Sequence, residues 1–268
     1  MDKTTVTRRA AIKGAAALEL GLASPADAEA PRAVPGSDAA AQMVGRQPGV
    51  EGVLVSNGRE VVRTDAQGRY TLPLDNESVI FVIKPRGYGV PIDPATKLPR
   101  FSFIHQPKGS PADLRLRFRG VDPTGSLPES VDFPLIRQPE QSKFDVLLFT
   151  DPQPESHVEL DFVRDDVVNA LVGSKAAFGI LFDDLSMYGR YNHIIGQIGL
   201  PWWNIGGNHD LNFEAKDRTY SRETFKRVFG APYYAFHYGN AVAARFPNGA
   251  DAGLASLGRC PPRDRSDR

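Results

Sequence analysis

Three apolar runs place the strongest limit on what this chain can fold into. They are "FDVLLF" (Phe144 to Phe149), "AAFGILF" (Ala176 to Phe182) and "LPWWNI" (Leu200 to Ile205). Runs this continuous do not alternate as a half-solvated strand would; they read as strands of a sheet covered on both faces. Between the first two, "HVELDFVRDDVVNALV" places Val158, Phe162, Val163, Val167, Val168 and Leu171 about one helical turn apart. Between the second and third, "SMYGRYNHIIGQIG" reads as a second helix. The layout is βαβαβ, and in such a sheet a ligand crevice opens beyond the carboxyl ends of the strands. Those ends carry Asp151 to Gln153, then Asp183 and Asp184, then Gly206 and Gly207 followed by Asn208, His209 and Asp210. The topology therefore brings three polar clusters to one edge.

The region before these strands has another texture. Residues 31–45 are rich in Pro, Ala, Gly and Ser and read as a linker. Residues 46–136 read as a small β-sandwich, with no helix of convincing length between Val50 and Leu135. Asn57-Gly58 is a hairpin signal, Tyr70, Leu72 and Leu74 alternate, and "SVIFVIKP", "FSFIH" and "LRLRF" are further strand candidates. Tyr70, Phe81 and Phe103 occupy inward positions, and the region holds no catalytic cluster, so a packing or spacing role is expected of it. Trp202, Trp203, Tyr233 and Tyr234 read as core or as a wall of the substrate groove, and "RETFKRVF" as an amphipathic surface helix, with a phosphate-anchoring role as its alternative. His237 falls in the strand-like "YYAFHYGN". Residues 241–268 show neither a period-two nor a helical pattern and read as a disordered tail.

At the N-terminus, "TRRAAIK" sets Arg8 and Arg9 before an Ala/Leu-rich stretch, with small residues around Ala28 and Ala30. This resembles a twin-arginine export signal over residues 1–30, and it implies a periplasmic or secreted protein. No run approaches the roughly 18 apolar residues that span a bilayer. Lys plus Arg equal Asp plus Glu at 32 each, so no overall field recruits nucleic acid, and nothing in the sequence indicates that partner. The single cysteine, Cys260, has no internal disulfide partner.

Carboxylate and amide oxygens at one sheet edge suit hard divalent cations such as Mg²⁺ or Mn²⁺, and an imidazole adds tolerance for Mn, Fe or Zn. A bound cation makes a nucleophile of water and neutralises charge on the reacting group. A nearby histidine, oriented by a carboxylate such as Asp210, can protonate a leaving oxygen. In this setting "GGNHD" (Gly206 to Asp210) and "TDPQ" (Thr150 to Gln153) resemble elements of the calcineurin-like metallophosphoesterases. The likeness extends over roughly residues 45 to 240, to an exported bacterial subgroup. Its N-terminal module resembles a carboxypeptidase-regulatory-like β-domain through "GVLVSNG" and "VVRTDAQGRYTL".

The resemblance implies an N-terminal β-sandwich followed by an α/β (α+β-type) phosphoesterase sandwich over residues 140–240. It implies two divalent ions from among Mn, Fe, Zn and Mg, held by Asp151, Gln153, Asp183, Asp184 and Asn208. His209 becomes the general acid, with Asp210 beside it, acting on a small-molecule or cell-envelope phosphoester. The chain also departs from the family pattern. "FGILFDDLS" lacks the Gly-Asp pair whose aspartate bridges the metals, and no Gly-His-x-His follows His237. A phosphoesterase domain truncated at its C-terminus and impaired in its ligands is therefore expected. The rival is a catalytically inactive exported module that keeps the fold, and a second rival gives the binding role to the β-domain. Taken singly, Asp151-Pro152 opens turns, Asp183-Asp184 caps helices, and Asn208 suits a left-handed turn.

Overall fold

The computed structural model describes residues 4–12, 49–114, 116–150, 152–183, 187–207, 209–246 and 254–259. The first strands are β1 (Thr4–Ile12), β2 (Leu54–Ser56), β3 (Val61–Arg63), β4 (Arg69–Leu74), β5 (Ser78–Ile83), β6 (Tyr88–Gly89), β7 (Ser102–His105) and β8 (Phe133–Arg137). They form two four-stranded sheets, ordered β3-β2-β5-β7 and β4-β1-β8-β6. Tyr70, Leu72 and Leu74 of β4 all point inward, and the Tyr70 hydroxyl donates to the Val131 carbonyl at 2.9 Å. Asn57-Gly58 does turn the chain, as part of a four-residue connection between Ser56 and Val61. Asn57 Oδ1 accepts from the N–H groups of Arg59 and Glu60, and Gly58 takes a φ of 85° that only glycine adopts freely.

One detail of this half differs from the sequence-based expectation. "LRLRF" does not join a sheet. Leu114 closes a 3₁₀ turn (Ala112–Leu114), and Ser110 N–H bonds Val121 O while Val121 N–H bonds Ser110 Oγ, so the backbone closes into a loop. Thr4–Ile12 pairs antiparallel with β4 and parallel with β8, which sets Arg8 and Arg9 opposite Tyr70 and Arg69.

The second half follows the expected alternation. β9 (Val146–Phe149) leads to α1, a helical run over residues 157–171. Next come β10 (Phe178–Asp183), α2 (Tyr188–Gly196), β11 (Trp202–Gly206) and α3 (Glu223–Phe229). β9, β10 and β11 form a parallel sheet with β10 central. Gly179 allows the close pairing, because a Cβ there would fall 2.1 Å from the Trp202 ring. The last strands, β12 (Tyr234–Tyr238), β13 (Ala241–Phe246) and β14 (Leu254–Arg259), form an antiparallel sheet. Two of these strands lie where a patternless tail was expected. Tyr238 pairs with Ala241 across Gly239-Asn240, so a two-residue glycine turn, Gly239 at φ 52°, folds the chain back on itself.

α1 buries a different stripe from the one the spacing predicts. Val158, Phe162 and Val167 are 61%, 58% and 41% exposed, while Leu160 and Val168 are fully buried. The cause is local: Val163–Val168 is π-helical, and its wider turn carries Val168 onto the face of Leu160. α3 is likewise more than a surface helix. Glu223, Thr224, Phe225 and Phe229 are buried, because the helix packs on both halves of the chain.

The two halves share one hydrophobic core. Phe101 lies 5.0 Å from both Trp203 and Tyr234, and Trp203 stacks on Phe236 at 4.0 Å. These contacts confirm the aromatic residues of β11 and β12 as core. At its rim Lys84 Nζ, 7% exposed, reaches Glu140 Oε1 and His237 O at 2.6 Å each. Among the described residues no helix is long and apolar enough to cross a membrane.

Candidate active-site edge

The parallel register aligns the strand ends. Leu181 pairs with Phe149 and Asp183 with Gly206, so the segments after β9, β10 and β11 leave the sheet along one edge. The convergence read from the sequence is thus present in the backbone. Asp151, Asp184 and Asn208, three of the residues implied as metal ligands, lie outside the described residues. Asp183 closes β10 directly opposite Gly206. Gln153 is half-buried between Pro152 and the buried Pro154.

The third cluster is a loop pinned on both sides of His209, which is exposed. Asp210 is only 1% exposed, and its carboxylate accepts from the Tyr188 hydroxyl and, at 2.5 Å, from the Gly207 N–H. The second bond runs back across the turn and closes the loop. Tyr188 stands at the start of α2 and meets Phe229 of α3 edge-on at 4.8 Å. On the far side, the Asn212 amide donates to Thr224 Oγ1 at 2.9 Å and its backbone N–H to Ser221 O at 2.7 Å. Two helices therefore fix the loop on which the exposed His209 stands. Tyr188 and Asn212 hold this geometry, and sequence reasoning missed both. Their signal, a tyrosine and an asparagine flanked by apolar residues, is indistinguishable from ordinary core without the pairing.

Met187 occupies the N-cap of α2 and makes no side-chain cap hydrogen bond. One buried group near the edge stands out. Asn204 of β11 is 5% exposed, and both its amide nitrogen and amide oxygen lack a partner among the described residues. Leaving a buried amide unpaired costs about 1–3 kcal/mol, so its retention two residues before the strand's last calls for a polar neighbour.

The divalent ions implied by the resemblance can be tested against this donor set. Among the described residues no three His, Cys, Asp or Glu side chains lie close enough to hold a metal. The oxygen-rich composition of the edge, with Gln153, Asp183 and the unpartnered Asn204 amide, suits a hard cation in type. Asp210 is already committed to two hydrogen bonds.

Residues 39–119 match the family model for the N-terminal domain of calcineurin-like phosphoesterase. That stretch is similar to the N-terminal domain of the calcineurin-like phosphoesterases. No curated protein and no solved structure matches it. The match covers β2 to β7 and ends before β9, so the likeness rests on the β-rich region and not on the strand-end clusters. The module that resembles a carboxypeptidase-regulatory-like domain is matched as the phosphoesterase family's own N-terminal domain.

Proposed function

We propose that this chain is a metal-dependent phosphoester hydrolase of the calcineurin-like type, with its chemistry at the C-terminal edge of the β9-β10-β11 sheet. One observation carries the proposal: the parallel register that brings the ends of β9, β10 and β11 to one edge, in a chain whose residues 39–119 match the phosphoesterases' N-terminal domain. Asp151, Gln153, Asp183, Asp184 and Asn208 are the residues that would hold divalent ions. When bound, such ions supply an activated water and neutralise charge on the phosphoryl group. His209, exposed on its braced loop, approaches the leaving oxygen and donates a proton to it. Asp210 acts as a positioning residue, holding the loop through Tyr188 and Gly207.

The test is turnover of a chromogenic phosphodiester by the purified full chain with Mn²⁺, alongside metal analysis. Turnover that EDTA abolishes and that His209→Ala lowers by about 10²–10⁴-fold, the range for a lost general acid, supports the proposal. Absence of both metal binding and turnover would replace it with the inactive module that keeps the fold. Export through Arg8 and Arg9 belongs to the same proposal, and a chain lacking residues 1–30 tests it. If that chain loses its folded state, Thr4–Ile12 is an integral strand and not a leader.

A further inference from the structure

A cleft of about 380 Å³ opens beside the His209 loop. Phe118 and Arg119 of the N-terminal half form one wall, His157 of α1 with Tyr188 and Arg190 of α2 a second, and Arg227 of α3 a third. Tyr188 is shared with the candidate active-site edge, since its hydroxyl bonds Asp210. Among the described residues no Asp or Glu lines the cleft.

The three guanidiniums are not equally satisfied. Arg119 pairs with Asp122 at 2.7 Å and Arg190 with Asp161 at 2.6 Å, both outside the lining. Arg227 has no carboxylate partner among the described residues; its Nε donates to the Arg119 carbonyl at 3.1 Å. Burial, and next the positive charge of Arg119, pull the Arg227 guanidinium below its ordinary value. Asp122, which pairs with Arg119, and Tyr188 oppose that shift only in part, so an anion in the space between the two cations would stabilise both. Arginine's planar fork suits phosphate oxygens in particular.

We propose that this cleft binds a phosphate-type group of a small-molecule ligand, held by Arg227 and Arg119, with Arg190 also in the lining. Its role as a substrate subsite rests on the phosphoester reading: the substrate class becomes phosphoesters carrying a second phosphate, one at the sheet edge and one in the cleft. Binding itself does not depend on that reading.

The experiment is calorimetric titration of the full chain with inorganic pyrophosphate in EDTA at low salt. Saturable binding is expected, weakening as salt rises. Arg227→Gln should reduce affinity on the order of tenfold to a hundredfold, the scale of one lost charge-assisted contact. Arg227→Lys should fall between, while Arg137→Gln, whose guanidinium lies over the Tyr88 ring, should bind as wild type does. Circular dichroism verifies the fold of each variant, and Arg119→Gln serves if Arg227→Gln unfolds. No saturable binding at millimolar pyrophosphate would overturn the proposal, as would Arg227→Gln and Arg119→Gln binding like wild type. The two readings separate cleanly. Binding without Mn²⁺-dependent turnover keeps the cleft and removes the hydrolase; turnover without binding keeps the hydrolase and removes the cleft.

Discussion

Glu140→Gln tests whether the two halves are held together by charge at their shared rim. Lys84 Nζ and Glu140 Oε1 are 2.6 Å apart, and their side chains are 7% and 3% exposed. Glu140 Oε2 also accepts from the Gly239 N–H at 2.9 Å, and Lys84 Nζ lies 5.4 Å from the centre of the Tyr238 ring. Replacing the carboxylate by an amide leaves a buried ammonium whose anion is gone. Breaking one side of a buried pair costs about 3–5 kcal/mol. For a chain of this size that corresponds to a drop on the order of 10 °C in melting temperature.

The pH dependence gives the sharper criterion. Burial lowers the Lys84 value, while the hydrogen bond and charge of Glu140 oppose that shift. Without Glu140 only the lowering remains, so folded Lys84 sheds its proton closer to neutrality than the unfolded chain does at about 10.5. Between those values the unfolded state binds more protons, so stability rises with pH in that window. The Glu140→Gln deficit, measured by urea melts, should therefore shrink between neutral and mildly alkaline pH. A deficit below about 1 kcal/mol at neutrality, or one independent of pH, would refute the reasoning. Lys84→Met with Glu140→Leu should return close to wild type, since removing both charges removes the desolvation penalty.

Three further outcomes follow from the geometry. Tyr188→Phe removes a donor from the buried Asp210 carboxylate and should cost about 1.5–3 kcal/mol in a urea melt; under the proposed function kcat falls while KM changes little. His237 is shifted below its ordinary value by burial first and then by the charges of Arg86 and Lys84. Its contribution to stability is intact above about 6.5, the unfolded value, and is lost as pH falls toward the lower folded value; His237→Gln should flatten that part of the stability profile. Lys97 is a non-glycine residue at φ 59°, so Lys97→Gly should leave stability unchanged or raise it by up to about 1 kcal/mol by calorimetry, and a clear loss would mean the Lys97 Nζ bond to Pro94 O matters more.

What the sequence made legible divides by the range of the interaction. Strand identity in "AAFGILF" and "LPWWNI" follows from local apolarity, and a βαβ connection admits few arrangements, so the common edge of Asp183 and Gly207 to Asp210 could be read in advance. The stripe on α1 could not, because apolar spacing assumes a constant turn and Val163–Val168 is wider. β13 was hidden by its composition, "AVAARF" being small and uncharged over four positions. Yet the Gly239-Asn240 turn before it is a hairpin signal that outweighs composition. Lys84 and Glu140 are 56 positions apart, and Tyr188 and Asp210 22; neither pairing has a local signature.

These long-range pairings change the role of the N-terminal domain. As a spacer it would touch the rest of the chain only in passing. Instead its 106–110 segment is built into α3: Gln106 Nε2 donates to the buried Glu223 carboxylate at 2.8 Å, Ser110 Oγ donates to the same oxygen at 2.5 Å, and Lys226 bonds both Glu223 and Gln106. α3 in turn carries Phe229 against Tyr188, and Tyr188 holds Asp210. The region similar to the phosphoesterases' N-terminal domain thus fixes, through one helix, the loop that displays His209. It also supplies Phe118 and Arg119 to the cleft beside that loop. Glu223→Gln should consequently loosen the His209 loop through α3, seen as faster amide exchange at Gly207 and Leu211. Unchanged exchange there would mean the loop is held by Tyr188 and Asn212 alone.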